Sequence, residues 1–176
     1  MKKLNHIVYF VIGPVLFFSS CQRKVDVEKE KEAIRALINT EKQGYFDKDL
    51  GKMASTWVQR PSSVKIFMSQ NGETDLFGWA KISESSREEI AKIDSNYRNI
   101  RLEFSDFQFN VYESGAWAIF KAKWNWTYKE EQKAMEQTRI MAFEKVEEKW
   151  KTTLMAIYSV PVEKEETQKK TEEIPK

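Results

Sequence analysis

Only one histidine and one cysteine occur in this chain of 176 residues, His6 and Cys21, and both stand near its beginning. Their scarcity removes several kinds of chemistry. A Ser-His or Cys-His pair needs an imidazole beside the nucleophile, structural zinc sites are built from Cys and His, and a disulfide needs two thiols. None of these can be assembled from residue 22 onward. Catalysis there would rest on Asp, Glu, Tyr, Lys or Arg, or on a metal held by carboxylates alone, and the sequence calls for no cofactor or metal. Glycine is also sparse, with six residues, and none lies in a phosphate-cradling pattern. Charge of one sign is lacking too. Two of the 29 basic residues, Lys2 and Lys3, precede Cys21, and the remaining 27 face 27 acidic ones. That balance offers no electrostatic case for nucleic acid or for a polybasic membrane patch.

What the beginning of the chain does contain is ordered. Lys2 and Lys3 are followed by an apolar run from Ile7 to Phe18 and then by Ser19-Ser20. This is the charged, apolar and small-residue sequence of a secretory signal, and the run is too short for a comfortable membrane span. With Cys21 directly after the small pair, the segment resembles the lipobox of bacterial lipoproteins, with Phe18 where Leu is usual. The resemblance implies a signal peptide over residues 1–20, a diacylated Cys21 as the mature N-terminus, and a tether through residue 25. The protein is then expected on a membrane of the bacterial cell envelope, facing the periplasm or the exterior. A plain signal peptide and an uncleaved anchor are the competing readings.

The rest, about 155 residues, fits one domain with one core. All six tryptophans lie in it. From Asp26, apolar Val27, Ile34, Leu37, Ile38 and Tyr45 recur at helical spacing, with Gly44 as the expected stop. Asp47 is expected to cap a short second helix whose inner face is Leu50, Met53, Ala54 and Trp57. Val64–Met68 and Thr74–Phe77 flank the turn signal Asn71-Gly72 and predict a hairpin. A third helix should follow from Gly78-Trp79 and end near Asp94. Four long runs rich in aromatic and β-branched residues come next, over 99–112, 116–128, 133–146 and 149–160, and read as an antiparallel meander. A change of apolar phase around Ser105-Asp106 predicts a bulge. In the second run Ala116, Ala118, Phe120, Ala122, Trp124 and Trp126 share a face. Its small half can lie under a helix and its aromatic half can line a cavity. From residue 161 to 176 almost nothing is apolar, which predicts a disordered charged tail.

Three helices, a hairpin before the third, and a long meander form the order of elements in the nuclear transport factor 2-like, or SnoaL-like, superfamily. Gly44-Tyr45-Phe46-Asp47-Lys48-Asp49-Leu50 resembles its helix-break segment. Leu76-Phe77-Gly78-Trp79-Ala80-Lys81-Ile82 resembles its third helix, and Glu148-Lys149-Trp150-Lys151 with Ile157-Tyr158-Ser159 its final strand. The resemblance spans residues 26–160 and implies an α+β, cystatin-like fold. In it a strongly curved antiparallel sheet forms a cone around the N-terminal helices, open at one end to an apolar ligand. It implies no single activity, since such domains serve as isomerases, dehydratases, cyclases, binding modules and accessory domains. Ketosteroid isomerase-like members carry a catalytic Asp just beyond the second helix. Here that stretch is Gln59-Arg60-Pro61-Ser62-Ser63, which has no carboxylate.

The expected ligand-binding residues are Trp57, Trp79, Trp124, Trp126 and Tyr158, whose rings offer apolar area with a polar edge, and Arg139. Core packing competes for each ring, and an outward or ion-paired orientation competes for Arg139. If Arg139 shares a face with Met141 and Phe143, its guanidinium can meet a ligand carboxylate. The sequence thus favours a lipid-anchored, non-catalytic domain that holds a small apolar or amphipathic molecule or a partner protein. One alternative is an isomerase, dehydratase or hydrolase with Asp75, Glu103 or Asp106 as base and Tyr45 or Tyr158 as donor. Another is a homodimeric structural module that uses the outer sheet face.

Overall fold

A computed structural model describes residues 25–93 and 96–161. The signal segment, Cys21, most of the tether, Asp94 and the charged tail from residue 162 lie outside the described residues. The order is α1 (Val27–Phe46), α2 (Leu50–Ser55), β1 (Val64–Ser69), β2 (Gly72–Phe77), α3 (Trp79–Ala91), β3 (Tyr97–Val111), β4 (Gly115–Tyr128), β5 (Glu131–Val146) and β6 (Lys149–Pro161). The strands form one six-stranded sheet in the order β2-β1-β6-β5-β4-β3. Neighbours are antiparallel except β1 and β6, which run parallel from Val64 opposite Leu154.

The first helix begins where Asp26 accepts a hydrogen bond from the Lys29 amide at 3.2 Å, satisfying one of the free N–H groups of the first turn. It does not stop at Gly44. That residue is buried inside the last turn, where an added Cβ would lie 2.9 Å from the Met53 backbone nitrogen. Gly44 therefore permits close approach of α2 and does not break the chain. Asp47 closes α1, and Asp49 caps α2 by accepting from the Lys52 amide at 2.9 Å. The expected cap is thus displaced by two residues. Trp57 lies beyond α2, in a segment stitched to β6 by Val58 N–H to Thr152 O (2.9 Å) and Thr152 N–H to Thr56 O (2.8 Å).

The apolar stripe of α1 supplies Ile34 and Ile38 to the core, where they join Ala118, Phe120, Met141 and Ile157 from the concave side of the sheet and Ile82 from α3. Phe120 is almost wholly buried. Burying such a ring contributes about 1.5–3 kcal/mol. The small residues of β4 make room beneath the helices, as the alternation in its sequence predicts. The bulge in β3 is also present: the register shifts between Ser105 and Gln108, and Asp106 has a φ of 56°. At the other pole, Glu30 of α1 receives Lys145 Nζ and Trp150 Nε1, each at 2.6 Å. This clamp ties the start of α1 to the β5–β6 turn.

Candidate functional site

The cone stays open at the end away from that clamp, around a cavity of about 320 Å³. The second half of α1 contributes Ile38, Glu41, Lys42 and Tyr45, and the C-terminal end of β4 contributes Trp124 and Trp126. Met135, Gln137 and Arg139 enter from β5, and Met155 and Ile157 from β6. Lys65 and Phe67 of β1 and Glu89 of α3 add to the inner wall, as does Lys92 just beyond α3. Lys48 Nζ donates to Ile93 O at 2.8 Å and so ties the α1–α2 link to the segment after α3, near the mouth.

Polar side chains at the base of the cavity are held in a defined arrangement. Gln137 Oε1 accepts from Trp124 Nε1 at 3.0 Å and from Arg139 Nε and Nη2 at 3.1 and 2.9 Å. The Arg139 guanidinium also lies over the Phe104 and Trp124 rings, 5.6 and 5.9 Å from their centroids. Burial lowers its proton affinity, and Glu41 followed by Glu89 acts in the opposite direction. Lys65, though buried, keeps Glu89 within 3.3 Å, and Ser85 donates to the same carboxylate at 3.1 Å. Glu41 accepts from Trp57 Nε1 at 2.9 Å. Burial pushes the Glu41 carboxyl above its ordinary range, against the lowering effect first of the Trp57 hydrogen bond and then of Lys65 and Arg139. One turn further along α1, burial pushes Tyr45 up to about 12. Its ring meets Trp124 edge-on, with centroids 5.6 Å apart. Among the described residues no three His, Cys, Asp or Glu side chains converge as metal ligands.

The residues singled out in the sequence therefore separate. Trp124, Trp126 and Arg139 are on the cavity wall. Trp57 is not, because the stitch to β6 turns its ring into the core at 4% exposure, where it reaches the cavity only through its bond to Glu41. Trp79 packs against Trp57 at 6.3 Å, behind the wall. Tyr158 follows inward-facing Ile157 on β6, so strand alternation sends it to the convex face, where it is 49% exposed. Among the proposed bases, Asp75, Glu103 and Asp106 are all exposed and absent from the cavity lining. Tyr45 alone of that acid–base group lines it. Glu41, Lys65, Glu89 and Gln137 were not expected. The available signal for Glu41 was its place in the stripe Ile34, Ile38, Glu41, Tyr45, where the spacing puts it on the buried face.

Comparison with protein-family models and with curated protein sequences finds no match. Comparison with solved structures finds the fold. A candidate scytalone dehydratase from Novosphingobium aromaticivorans superposes with a TM-score of 0.63 at 14% identity, over 76% of this chain and 86% of that one. A nuclear transport factor 2-like superfamily protein from Salmonella enterica serovar Typhimurium gives 0.60 at 15% identity, over 81% and 98%. A type 2 hexachlorocyclohexane dehydrochlorinase gives 0.58 at 13%, over 78% and 92%. The chain has the nuclear transport factor 2-like fold, an α+β architecture, as its element order implied. At such identities the likeness concerns fold alone, and function has to be argued from the cavity.

Proposed function

We propose that this protein is a lipid-anchored binding domain that holds a small amphipathic molecule in the open end of its cone, without transforming it. The observation that carries this reading is the cavity itself. It is open, of ligand size, walled by aromatic and aliphatic side chains, and floored by a few fixed polar groups, which is the usual make-up of a small-molecule site. A thermal-shift screen of steroids, fatty acids and aromatic acids should find a class that stabilises the protein saturably. Trp124→Ala should weaken that binding at least tenfold while the variant still folds. Absence of any stabilising class would sink the reading in favour of a protein partner. The anchor is tested separately: Cys21→Ala should release the protein from the membrane fraction, and a variant that stays bound without acylation would refute lipidation.

A second reading, an enzyme with carboxylate and tyrosine chemistry, is favoured by one observation. Glu41 is a carboxyl with raised proton affinity inside the cavity, one helical turn from Tyr45. Groups tuned in this way serve as general acids or bases. Conversion of a bound compound, abolished in Glu41→Gln with binding retained, would establish it.

A further inference from the structure

Resting on the binding reading above, we propose that the ligand is a carboxylic acid with an apolar body, whose carboxylate docks on the free edge of the Arg139 guanidinium. The inference begins with the way Arg139 is held. Arginine has five N–H donors in a flat fork. Gln137 Oε1 takes Nε and Nη2 on the side edge, which fixes the plane of the group. The end edge, Nη1 with the second hydrogen of Nη2, has no hydrogen-bond acceptor among the described residues. Nor does any carboxylate among them lie within ion-pair distance of Arg139. Phe104 and Trp124 support the group by ring contact, which aids its positioning and supplies no counter-charge.

Glu41 and Glu89 act on Arg139 only from beyond ion-pair distance, and each has a closer partner. Glu89 is engaged by Lys65 and Ser85, and Glu41 by Trp57. The charge balance of the lining agrees. Four cationic side chains, Lys42, Lys65, Lys92 and Arg139, face two acidic ones, Glu41 and Glu89, so the cavity is cationic even with both acids ionised. Any protonation of Glu41, which burial favours, increases that excess. A charge taken out of water is costly unless it is paired, and a guanidinium edge matches the two oxygens of a carboxylate. The rest of the wall, including Trp126, Met135 and Ile157, is suited to an apolar body. A neutral ligand would leave the Arg139 edge desolvated and unpaired, and an amine would be repelled. The chemistry of the site therefore selects an acid over its isosteric alcohol or amine.

The test uses matched probes on the full chain by isothermal titration. One series is 2-naphthoate, 2-naphthylmethanol and 2-naphthylmethylamine, and the other is decanoate, decanol and decylamine. In at least one series the acid should bind tenfold or more tighter than the alcohol, with no detectable binding of the amine. Arg139→Met, which keeps the bulk against Phe104 and Trp124, should bring the acid and the alcohol to equal affinity. Should that variant fail to fold, Arg139→Gln, which removes the charge and keeps a polar side chain, is read in its place. Equal binding of acid and alcohol to the wild-type chain overturns the acid inference and leaves the binding reading standing. An acid preference that survives Arg139→Met overturns the assignment to Arg139. No binding in either series overturns the acid inference, and the binding reading is then decided by the wider thermal-shift screen.

Discussion

Glu41 is a side chain whose burial in the fold changes its ordinary behaviour. Its raised proton affinity means that the folded state holds this proton at pH values where the unfolded chain has released it. In that window the folded state binds more protons, so stability falls as pH rises from the ordinary carboxyl range through the displaced value. Glu41→Gln keeps an acceptor for Trp57 Nε1 and removes the titration. Urea unfolding of the two proteins at pH 5 and pH 8 should show the variant gaining stability relative to wild type at the higher pH. A difference independent of pH would show that Glu41 is solvated as an ordinary carboxylate. The sequence hides this residue because a glutamate on an amphipathic helix normally faces water, and only its spacing from Ile34, Ile38 and Tyr45 shows otherwise. Arg139, Trp124 and Trp126 were legible for the opposite reason. On a strand, alternation assigns the side once one neighbour is known to be buried, and Met141 and Phe120 supply those neighbours. The same rule applied to Ile157 would have sent Tyr158 outward. Trp57 could not be placed in this way, since its direction is set by pairing with Thr152, far along the chain.

At the scale of elements, the order of helices and strands and the β3 bulge followed from apolar periodicity, whereas helix ends and contacts between elements did not. Gly44 shows the difference. Read locally, a glycine near the end of a helical pattern is a stop signal. In the fold it is the contact point of α1 and α2, and a side chain there would meet Met53 Cγ at 2.8 Å and the Met53 backbone nitrogen at 2.9 Å. The two effects predict opposite outcomes for Gly44→Ala. Helix propensity would stabilise an unobstructed site by about 1 kcal/mol. Overpacking costs about 1–3 kcal/mol, and the Met53 nitrogen cannot swing aside as a side-chain end can. The clash should win, with a lower urea midpoint for the variant, and a raised midpoint would show that α2 yields freely. The parallel pairing of β1 with β6 was illegible for a related reason. Both strands have strand composition, but nothing local in either names its partner across some ninety residues of chain.

For the molecule as a whole, the direction of α1 sets where the cavity can face. Its first turns are clamped through Glu30 to Lys145 and Trp150 at one pole, while Glu41 and Tyr45 line the cavity at the other. At 1.5 Å per residue, Glu30 and Tyr45 are separated by about 22 Å along the axis. The tether of residues 22–25 spans roughly 14 Å when fully extended. With Cys21 acylated as proposed, the clamped pole lies next to the membrane and the mouth opens toward water. Such an orientation suits an acid that arrives dissolved in the aqueous phase better than a lipid drawn directly from the bilayer. It can be measured by placing a fluorophore on Lys149→Cys, at the clamped pole, or on Lys92→Cys, at the cavity, and reconstituting each acylated protein with lipid spin-labelled at the headgroup. Quenching should be stronger at position 149. Stronger quenching at position 92 would mean that the domain lies mouth-down, and the bilayer itself would then be the source of the ligand.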